Sequence, residues 1–167
     1  DSPNYLFVDV AVDAAANAGT YYLVFKNGED VFKYPYTIAN RREASALRKG
    51  FTTADAIYLL MPDRFGNGNP ENDSTECTTE KADRKAFFGR HGGDLQGMIN
   101  GLDYIASLGM TVIWPTPLLV DNEPHESYHG YACGDYYHID PRFGDNDLYK
   151  EFVAQAHQRD IKVIMDV

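Results

Sequence analysis

The last two thirds of the sequence predict a parallel α/β fold. Three short apolar runs, at 56–61, 110–114 and 161–167, have the length and composition of strands buried on both faces. Two segments with apolar residues at helical spacing separate these runs. Strand, helix, strand, helix, strand in this order is the pattern of a parallel sheet covered by helices.

The two helices are predicted from their caps and their apolar faces. The first begins at Asp94, a residue type suited to an N-cap, and ends at Gly109, which supplies a left-handed C-terminal stop. The second runs over about 146–159. This leaves two long insertions, 62–93 and 115–144, at the carboxyl ends of the first two strands. In a parallel barrel, that end of the strands carries binding and chemistry.

The beginning of the chain follows a β pattern. Residues 5–12 predict a strand with one apolar face, formed by Leu6, Val8, Val10 and Val12. A hairpin is predicted near 20–36, because Asn27-Gly28 tolerates the positive φ angles of a tight turn. Pro35 lacks a backbone donor and favours an edge position.

The pattern changes once along the chain, and this predicts the domain organisation. Two or three strands cannot close a β-sandwich, so residues 1–39 are interpreted as the last strands of such a domain. Residues 40–55 are polar and basic and are interpreted as a linker, followed by the α/β domain at 56–167. The chain starts and stops inside strand-like patterns, so we expect it to be a fragment.

Composition argues against several classes of function. The net charge is −10 without a Lys/Arg stripe, which disfavours binding to nucleic acid or to anionic membranes. No run approaches the ~18 apolar residues of a membrane span, and no signal-peptide pattern is present. Cys77 and Cys133 fit no metal-ligand spacing and are either a disulfide or two free thiols.

The first insertion contains a segment rich in oxygen ligands. Residues 67–73 hold five side chains with hard oxygen donors, and Ca²⁺ takes six to eight oxygens on a flexible loop. The same residue types dominate ordinary surface turns, so both interpretations stay open on this segment alone. An EF-hand is excluded, because Asn72 stands where its glycine belongs and Thr78 where its glutamate belongs.

The second insertion combines aromatic, imidazole and carboxylate groups within residues 128–144. Rings stack on the apolar face of a pyranose, while His and Asp hydrogen-bond its hydroxyl groups. The alternative is that these residues form a half-exposed edge of the core. The segment by itself does not decide between the two.

Six segments stand in a definite order along the chain: DRFGNGNP (63–70), GGDLQG (92–97), LGMTVIW (108–114), YHGY (128–131), DPRFG (140–144) and VIMDV (163–167). In this order they resemble the α-amylase family (glycoside hydrolase family 13), and its neopullulanase and cyclomaltodextrinase branch in particular. The resemblance extends over about residues 51–167. It implies an incomplete (β/α)₈ barrel, a TIM barrel with about three βα units, preceded by the last strands of a β-sandwich.

The resemblance also implies a calcium site near the first barrel strand. Its ligands would be Asn67, Asn69, Asn72, Asp73, the carbonyl of Gly92, and Asp94. Asp94 would then serve both as a ligand and as a helix cap. Asn67 and Asn72 are neutral where some relatives have carboxylates, which lowers the ligand charge.

For the sugar pocket, the resemblance implies that Tyr131 stacks on the sugar next to the scissile bond and that His129 helps to shape this subsite. Ala132 stands where many relatives have Trp. Asp166 matches the first residue of the family motif at the third barrel strand and is interpreted as structural rather than catalytic.

The activity implied is retaining hydrolysis of α-glucosidic bonds in an α-glucan. The family's catalytic carboxylates come from motifs that this chain lacks, so no residue here is predicted to be catalytic. We expect the fragment to be inactive alone and to self-associate through open sheet edges. The resemblance suggests a bacterial periplasmic or secreted enzyme.

Two other classes of protein are alternatives. A noncatalytic carbohydrate-binding module would use a ring platform from the β region, formed by Tyr21, Tyr22, Tyr34 and Tyr36. In alternating strands, two of these rings must face inward, which weakens that platform. An unrelated α/β enzyme with an Asn-rich turn would require the ordered set of motifs to be a coincidence.

Overall fold

The computed structural model describes residues 6–167, and every side chain in that range except that of residue 46. The chain divides into two compact units, one ending at Lys49 and the other spanning Gly50–Val167. This division lies inside the predicted linker at 40–55. Within the described part of the chain, no helix is both long enough and apolar enough to cross a membrane.

The first unit contains the predicted hairpin. Strand β1 (Gly19–Asn27) pairs antiparallel with β2 (Asp30–Ile38). The turn is Gly28-Glu29 rather than Asn27-Gly28, since Asn27 still pairs with Asp30. Gly28 has φ 61, a conformation that glycine adopts without a steric cost, so the glycine sets the position of the turn.

The strand predicted at 5–12 is wrong for the described part of that segment. Residues 6–12 are in no strand, and residue 5 lies outside the described residues. Their apolar side chains are solvent-exposed; Leu6, for example, is 73% exposed. An alternating pattern becomes a strand only where a neighbouring strand and an apolar layer accept it. Among residues 6–49, no such layer covers this segment.

The second unit confirms the parallel α/β pattern. Its elements in chain order are β3 (Ile57–Leu60), α1 (Pro62–Phe65), α2 (Leu95–Asn100), α3 (Leu102–Ser107), β4 (Val112–Pro115), β5 (Leu119–Val120), β6 (Asp135–Ile139), α4 (Asn146–His157) and β7 (Lys162–Val163). Strands β3, β4 and β7 form a parallel sheet in that order, while β5 and β6 pair antiparallel inside the second insertion. The three parallel strands are shorter than predicted, above all the third.

The helix predicted from Asp94 to Gly109 is present as two pieces, α2 and α3, separated at Gly101. Its predicted ends are confirmed: the Asp94 side chain accepts a hydrogen bond from the Gly97 amide at 2.6 Å, and Gly109 has φ 76. A Cβ on Gly101 would lie 2.5 Å from the Phe65 ring. The glycine therefore allows α1 to pack closely against this helix.

The core lies between the helices and one face of the parallel sheet. Its fully buried members come from α2, α3, β4, α4 and the segments on either side of α4: Leu95, Met98, Leu102, Ile105, Ile113, Phe143, Phe152 and Ile161. The insertions follow the carboxyl ends of β3 and β4. The fold thus places both candidate segments at the same end of the sheet.

Candidate functional site

The two insertions are joined directly by hydrogen bonds. The Thr79 amide donates to Asn122 Oδ1 at 2.7 Å. Glu80 Oε2 accepts from the Ser127 amide at 2.7 Å and from its hydroxyl at 2.6 Å. Segments more than 40 residues apart in sequence therefore form one continuous surface beyond β3 and β4.

The oxygen-rich loop of the first insertion leaves two buried oxygens without a partner. Asn67 Nδ2 donates to Asp73 Oδ1 at 2.6 Å. The side-chain oxygens of Asn67 and Asn72 are buried and accept no hydrogen bond. Buried acceptors without a partner cost free energy, so each of them calls for an explanation.

Gly92 lies against this loop in a way that only glycine permits. Its φ is 85, and a Cβ there would lie 2.5 Å from Asp73 Oδ1. The backbone of Gly92 thus packs directly on the Asp73 carboxylate. Gly92 and Asp73 lie 19 residues apart in sequence, and the structure brings them together as the predicted ligand set requires.

Asp94 acts in the structure as a hydrogen-bond acceptor for the backbone. Its Oδ1 accepts from the amides of Gly68 and Gly97, and its Oδ2 accepts from the Asn69 amide at 2.8 Å. A carboxylate oxygen has two lone pairs, so only Oδ2 keeps one free. Asn69 Oδ1 already accepts from the Glu71 amide at 3.2 Å and also keeps one lone pair.

The predicted ligand set fits a calcium ion in its chemistry. It contains two orphaned amide oxygens, the Asp73 carboxylate and a backbone carbonyl, which are the hard donors that Ca²⁺ takes. Among residues 6–167, no three His, Cys, Asp or Glu side chains come together as a metal cluster. Any cation at this loop would therefore depend mainly on amide and carbonyl oxygens.

The ring of Tyr131 is held at the carboxyl end of the sheet. Its hydroxyl donates to Asp166 Oδ2 at 3.0 Å, and Trp114 Nε1 donates to the same oxygen at 3.1 Å. Desolvation, and then the hydrogen bond and charge of Asp166, raise the pKa of the Tyr131 hydroxyl, which therefore stays protonated as the donor. The residue is 58% exposed, so its side chain is accessible to a ligand.

His129 lies beside Tyr131 and orients its backbone. Its Nδ1 accepts from the Tyr131 amide at 2.9 Å, which places the proton of the neutral ring on Nε2. The two ring centroids are 5.8 Å apart. Between them, Gly130 has φ 79, and a Cβ there would lie 2.1 Å from the Pro117 carbonyl. The two predicted sugar-contacting residues thus form one compact turn.

A buried ion pair lies in the second insertion and connects it to the first. Arg142 Nη2 contacts Asp140 Oδ2 at 2.7 Å, with both side chains fully buried. Burial alone would raise the pKa of Asp140, but the hydrogen bonds and charge of Arg142, with the charge of Arg90, outweigh burial and lower it. Arg142 also donates to the carbonyls of Glu80 and Asp121.

A second buried carboxylate organises the first insertion. Asp63 accepts from the amides of His91 and Gly92 and pairs with Arg64. Arg90 Nε lies 3.9 Å from Asp63 Oδ1, and desolvation, followed by the charge of Arg142, lowers the pKa of Arg90. The sequence placed Asp63 in a family motif but gave it no role.

This architecture is that of a known catalytic domain. The family model described as alpha amylase, catalytic domain, matches residues 59–167. The chain belongs to the α-amylase family. The predicted family is thereby confirmed, and β3, β4 and β7 of this α-amylase-family chain are the parallel strands of a partial (β/α)₈ barrel.

Named relatives agree with the family model. Neopullulanase 2 of Thermoactinomyces vulgaris is 38% identical over 143 residues, which cover 81% of this chain and 22% of that protein. The crystal structure of an Anoxybacillus α-amylase is 44% identical, with a TM-score of 0.61 over 68% of this chain and 23% of that one.

A third relative was solved with a ligand. The α-amylase of Geobacillus thermoleovorans, complexed with acarbose, is 40% identical, with a TM-score of 0.53 over 67% of this chain and 22% of that one. This α-amylase-family chain therefore spans less than a quarter of the length of the three relatives.

Proposed function

We propose that this chain supplies part of the sugar-binding surface of an α-glucan hydrolase that acts with retention of configuration. The observation that carries the proposal is the exposed ring of Tyr131, anchored through Asp166 at the carboxyl end of the sheet. In an α/β barrel, that end carries binding and chemistry. The relatives' names, neopullulanase and α-amylase, support an α-glucan as the substrate class. They do not favour a noncatalytic binding module.

The chemistry follows from the class of reaction. A carboxylate attacks the anomeric carbon, a protonated carboxyl group donates to the leaving oxygen, and water then hydrolyses the glycosyl intermediate. None of these roles is assigned to a residue of this chain. Tyr131 would stack on the pyranose at the reacting position and hold it against the barrel rim, while His129 Nε2 would donate to a hydroxyl.

The substrate role of Tyr131 is tested in the complete protein with maltooligosaccharides and pullulan. Tyr131→Ala should lower kcat/KM about tenfold or more, because ~1.4 kcal/mol of lost transition-state stabilisation is tenfold in rate. Its unfolding temperature should change little, since the ring is largely exposed. Tyr137, 84% exposed in the same insertion, gives the matched control Tyr137→Ala. If the two variants had equal kinetics, Tyr131 would have only a structural role.

We also propose that Asn67, Asn72, Asp73 and the Gly92 carbonyl hold a calcium ion, with Asn69 and Asp94 contributing their remaining lone pairs. The support is the pair of orphaned amide oxygens and the packing of Gly92 on Asp73. The ion would stiffen the first insertion. None of the chemical steps depends on it.

The calcium proposal is tested by unfolding with calcium and with a chelator. A ligand at 100 times its dissociation constant stabilises the native state by ~2.7 kcal/mol. Asn67→Ala and Asn72→Ala should abolish this difference, whereas Asn100→Ala, at the exposed end of α2, should keep it. A parent protein that unfolds identically in both conditions would exclude the site.

The remaining expectations are proposals of the same kind. We propose that the hairpin unit belongs to a β-sandwich, that the 167 residues alone hydrolyse no α-glucan and self-associate, and that the protein works in the periplasm or outside a bacterial cell. Pullulan or cyclodextrin hydrolysis by the isolated chain would overturn the second of these. Sedimentation of the chain over a range of concentrations tests its association.

A further inference from the structure

We propose that Glu80 is a positioning residue for the sugar-facing ring of Tyr131. It lies in the first insertion and fixes, through its carboxylate, the turn of the second insertion on which Tyr131 stands. This inference rests on the proposed function of Tyr131 and names a residue outside every motif that carries the family resemblance.

The carboxylate of Glu80 accepts three hydrogen bonds from one turn. Oε2 accepts from the amide and the hydroxyl of Ser127 at 2.7 and 2.6 Å, and Oε1 accepts from the Glu126 amide at 3.2 Å. Ser127 is fully buried. Arg90 Nη1 donates to the Ser127 carbonyl at 3.0 Å, so the residue is held at both its amide and its carbonyl.

The turn needs such support because its backbone is strained. Glu126 has φ 61, in the left-handed region that side chains other than glycine rarely adopt. Directly after it, Ser127–His129 form one turn of 3₁₀ helix, which closes at Gly130 with φ 79. The bonds from Glu80 fall on the strained residue and on the one that follows it, and so offset the strain where it arises.

The orientation of this turn fixes the position of the Tyr131 backbone. His129, the last residue of the 3₁₀ helix, accepts the Tyr131 amide on its Nδ1 at 2.9 Å. At the far end of the side chain, the hydroxyl meets Asp166 at 3.0 Å. Tyr131 is thus fixed at its backbone by the turn that Glu80 holds and at its hydroxyl by Asp166.

The backbone of Glu80 is itself held in place by a buried residue. Its carbonyl accepts from Arg142 Nη1 at 3.0 Å, and Arg142 is locked by its buried pair with Asp140. A carboxylate is needed at this position because all three groups that face it are donors. The amide of glutamine has one acceptor oxygen and would direct its own N–H groups at one or more of these donors.

The experiment compares Glu80→Gln, Tyr131→Ala and the double variant in the complete protein, with maltooligosaccharide hydrolysis as the readout. Glu80→Gln should lower kcat/KM by roughly tenfold to a hundredfold, the range for displacement of a positioning group. Ser127→Ala removes the hydroxyl bond to Glu80 and the longer one from Arg90 but keeps the bond from the Ser127 amide to Glu80, so it should lower kcat/KM less and in the same direction. Glu76→Gln, an exposed glutamate of the same insertion, should match the parent.

The double variant separates positioning from general destabilisation. If Glu80 acts through Tyr131, then Glu80→Gln should have little further effect once Tyr131 is alanine. A loss that persists in full in the Tyr131→Ala background, or parental kinetics for both Glu80→Gln and Ser127→Ala, would overturn the inference and leave the proposed function standing. Parental kinetics for Tyr131→Ala would overturn both.

Discussion

In the first unit, β1 and β2 pair over nine residues each, yet most of their large side chains are exposed, Phe32 by 63%. In the second unit, β3 and β4 have four residues each, yet Val112 and Ile113 are completely buried. A long ladder of hydrogen bonds therefore does not make a core. Burial against helices does, because removal of apolar surface from water is the dominant stabilising contribution.

The largest difference in stability loss between the two units is expected when one phenylalanine is removed from each. Phe152 is fully buried in α4, so Phe152→Ala should destabilise the second unit by about 3–5 kcal/mol. Phe32 is exposed, so Phe32→Ala should destabilise the first unit by less than about 0.5 kcal/mol. Denaturant unfolding of the 167-residue chain, followed by hydrogen exchange in peptides from each unit, measures both. Equal losses would contradict the contrast between the units.

The next largest effect is expected at the buried ion pair. Asp140→Asn leaves the Arg142 charge buried without its counter-ion and should destabilise by about 3 kcal/mol. This is the lower end of the usual range, because Arg142 keeps two carbonyl acceptors. The control is Asp147→Asn, which breaks the exposed pair with Lys150 and should change the unfolding midpoint little. Similar midpoints for both variants would exclude a supporting role for the buried pair.

Substituting one glycine in each unit, at positions with similar positive φ angles, compares the stability of the two units. Gly28 and Gly109 have φ 61 and 76, and a Cβ on either would meet nothing within 4 Å. Alanine at either position should therefore cost only about 1–2 kcal/mol of backbone strain. Gly28→Ala should accelerate hydrogen exchange across β1 and β2, whereas Gly109→Ala should leave β4 protected by its core. Loss of protection in β4 would show that the second unit is less cohesive than its burial indicates.

The smallest effect is expected at the amino ends of the parallel strands. The hydrogen bond from Lys162, with those from the Thr52 amide and the Thr111 hydroxyl, lowers the pKa of Asp55 to about 2. Because the folded pKa is depressed, this stabilisation is present above the unfolded value of ~3.9 and is lost as the pH falls towards about 2.

Acid unfolding followed between those two values tests this site. The parent should lose more stability over that interval than Asp55→Asn, which has no charge to lose. Superimposable acid curves for the parent and the variant would show that the contact with Lys162 contributes nothing to the second unit.

Local features were predictable where a residue's own chemistry decides them. The cap at Asp94, the stop at Gly109 and the order of strands and helices are confirmed, because capping, left-handed glycine and apolar periodicity depend on neighbours in sequence. The strand at 5–12 was predicted by the same reasoning and fails over residues 6–12, since alternation gives a strand only when a partner and a covering layer exist.

The sequence by itself determined the α-amylase family, because short motifs in order along the chain identify it, and it predicted which segments to propose for calcium and sugar binding. Only the tertiary structure decided that Glu80 holds Ser127 and that Asp166 holds Tyr131 and Trp114. It also decided that most lone pairs of the Asp94 carboxylate accept backbone amides, one from the helix that it caps and two from the loop of the first insertion. These contacts join residues as far as 52 positions apart, and no local pattern encodes which distant donors a carboxylate will meet once the chain has folded.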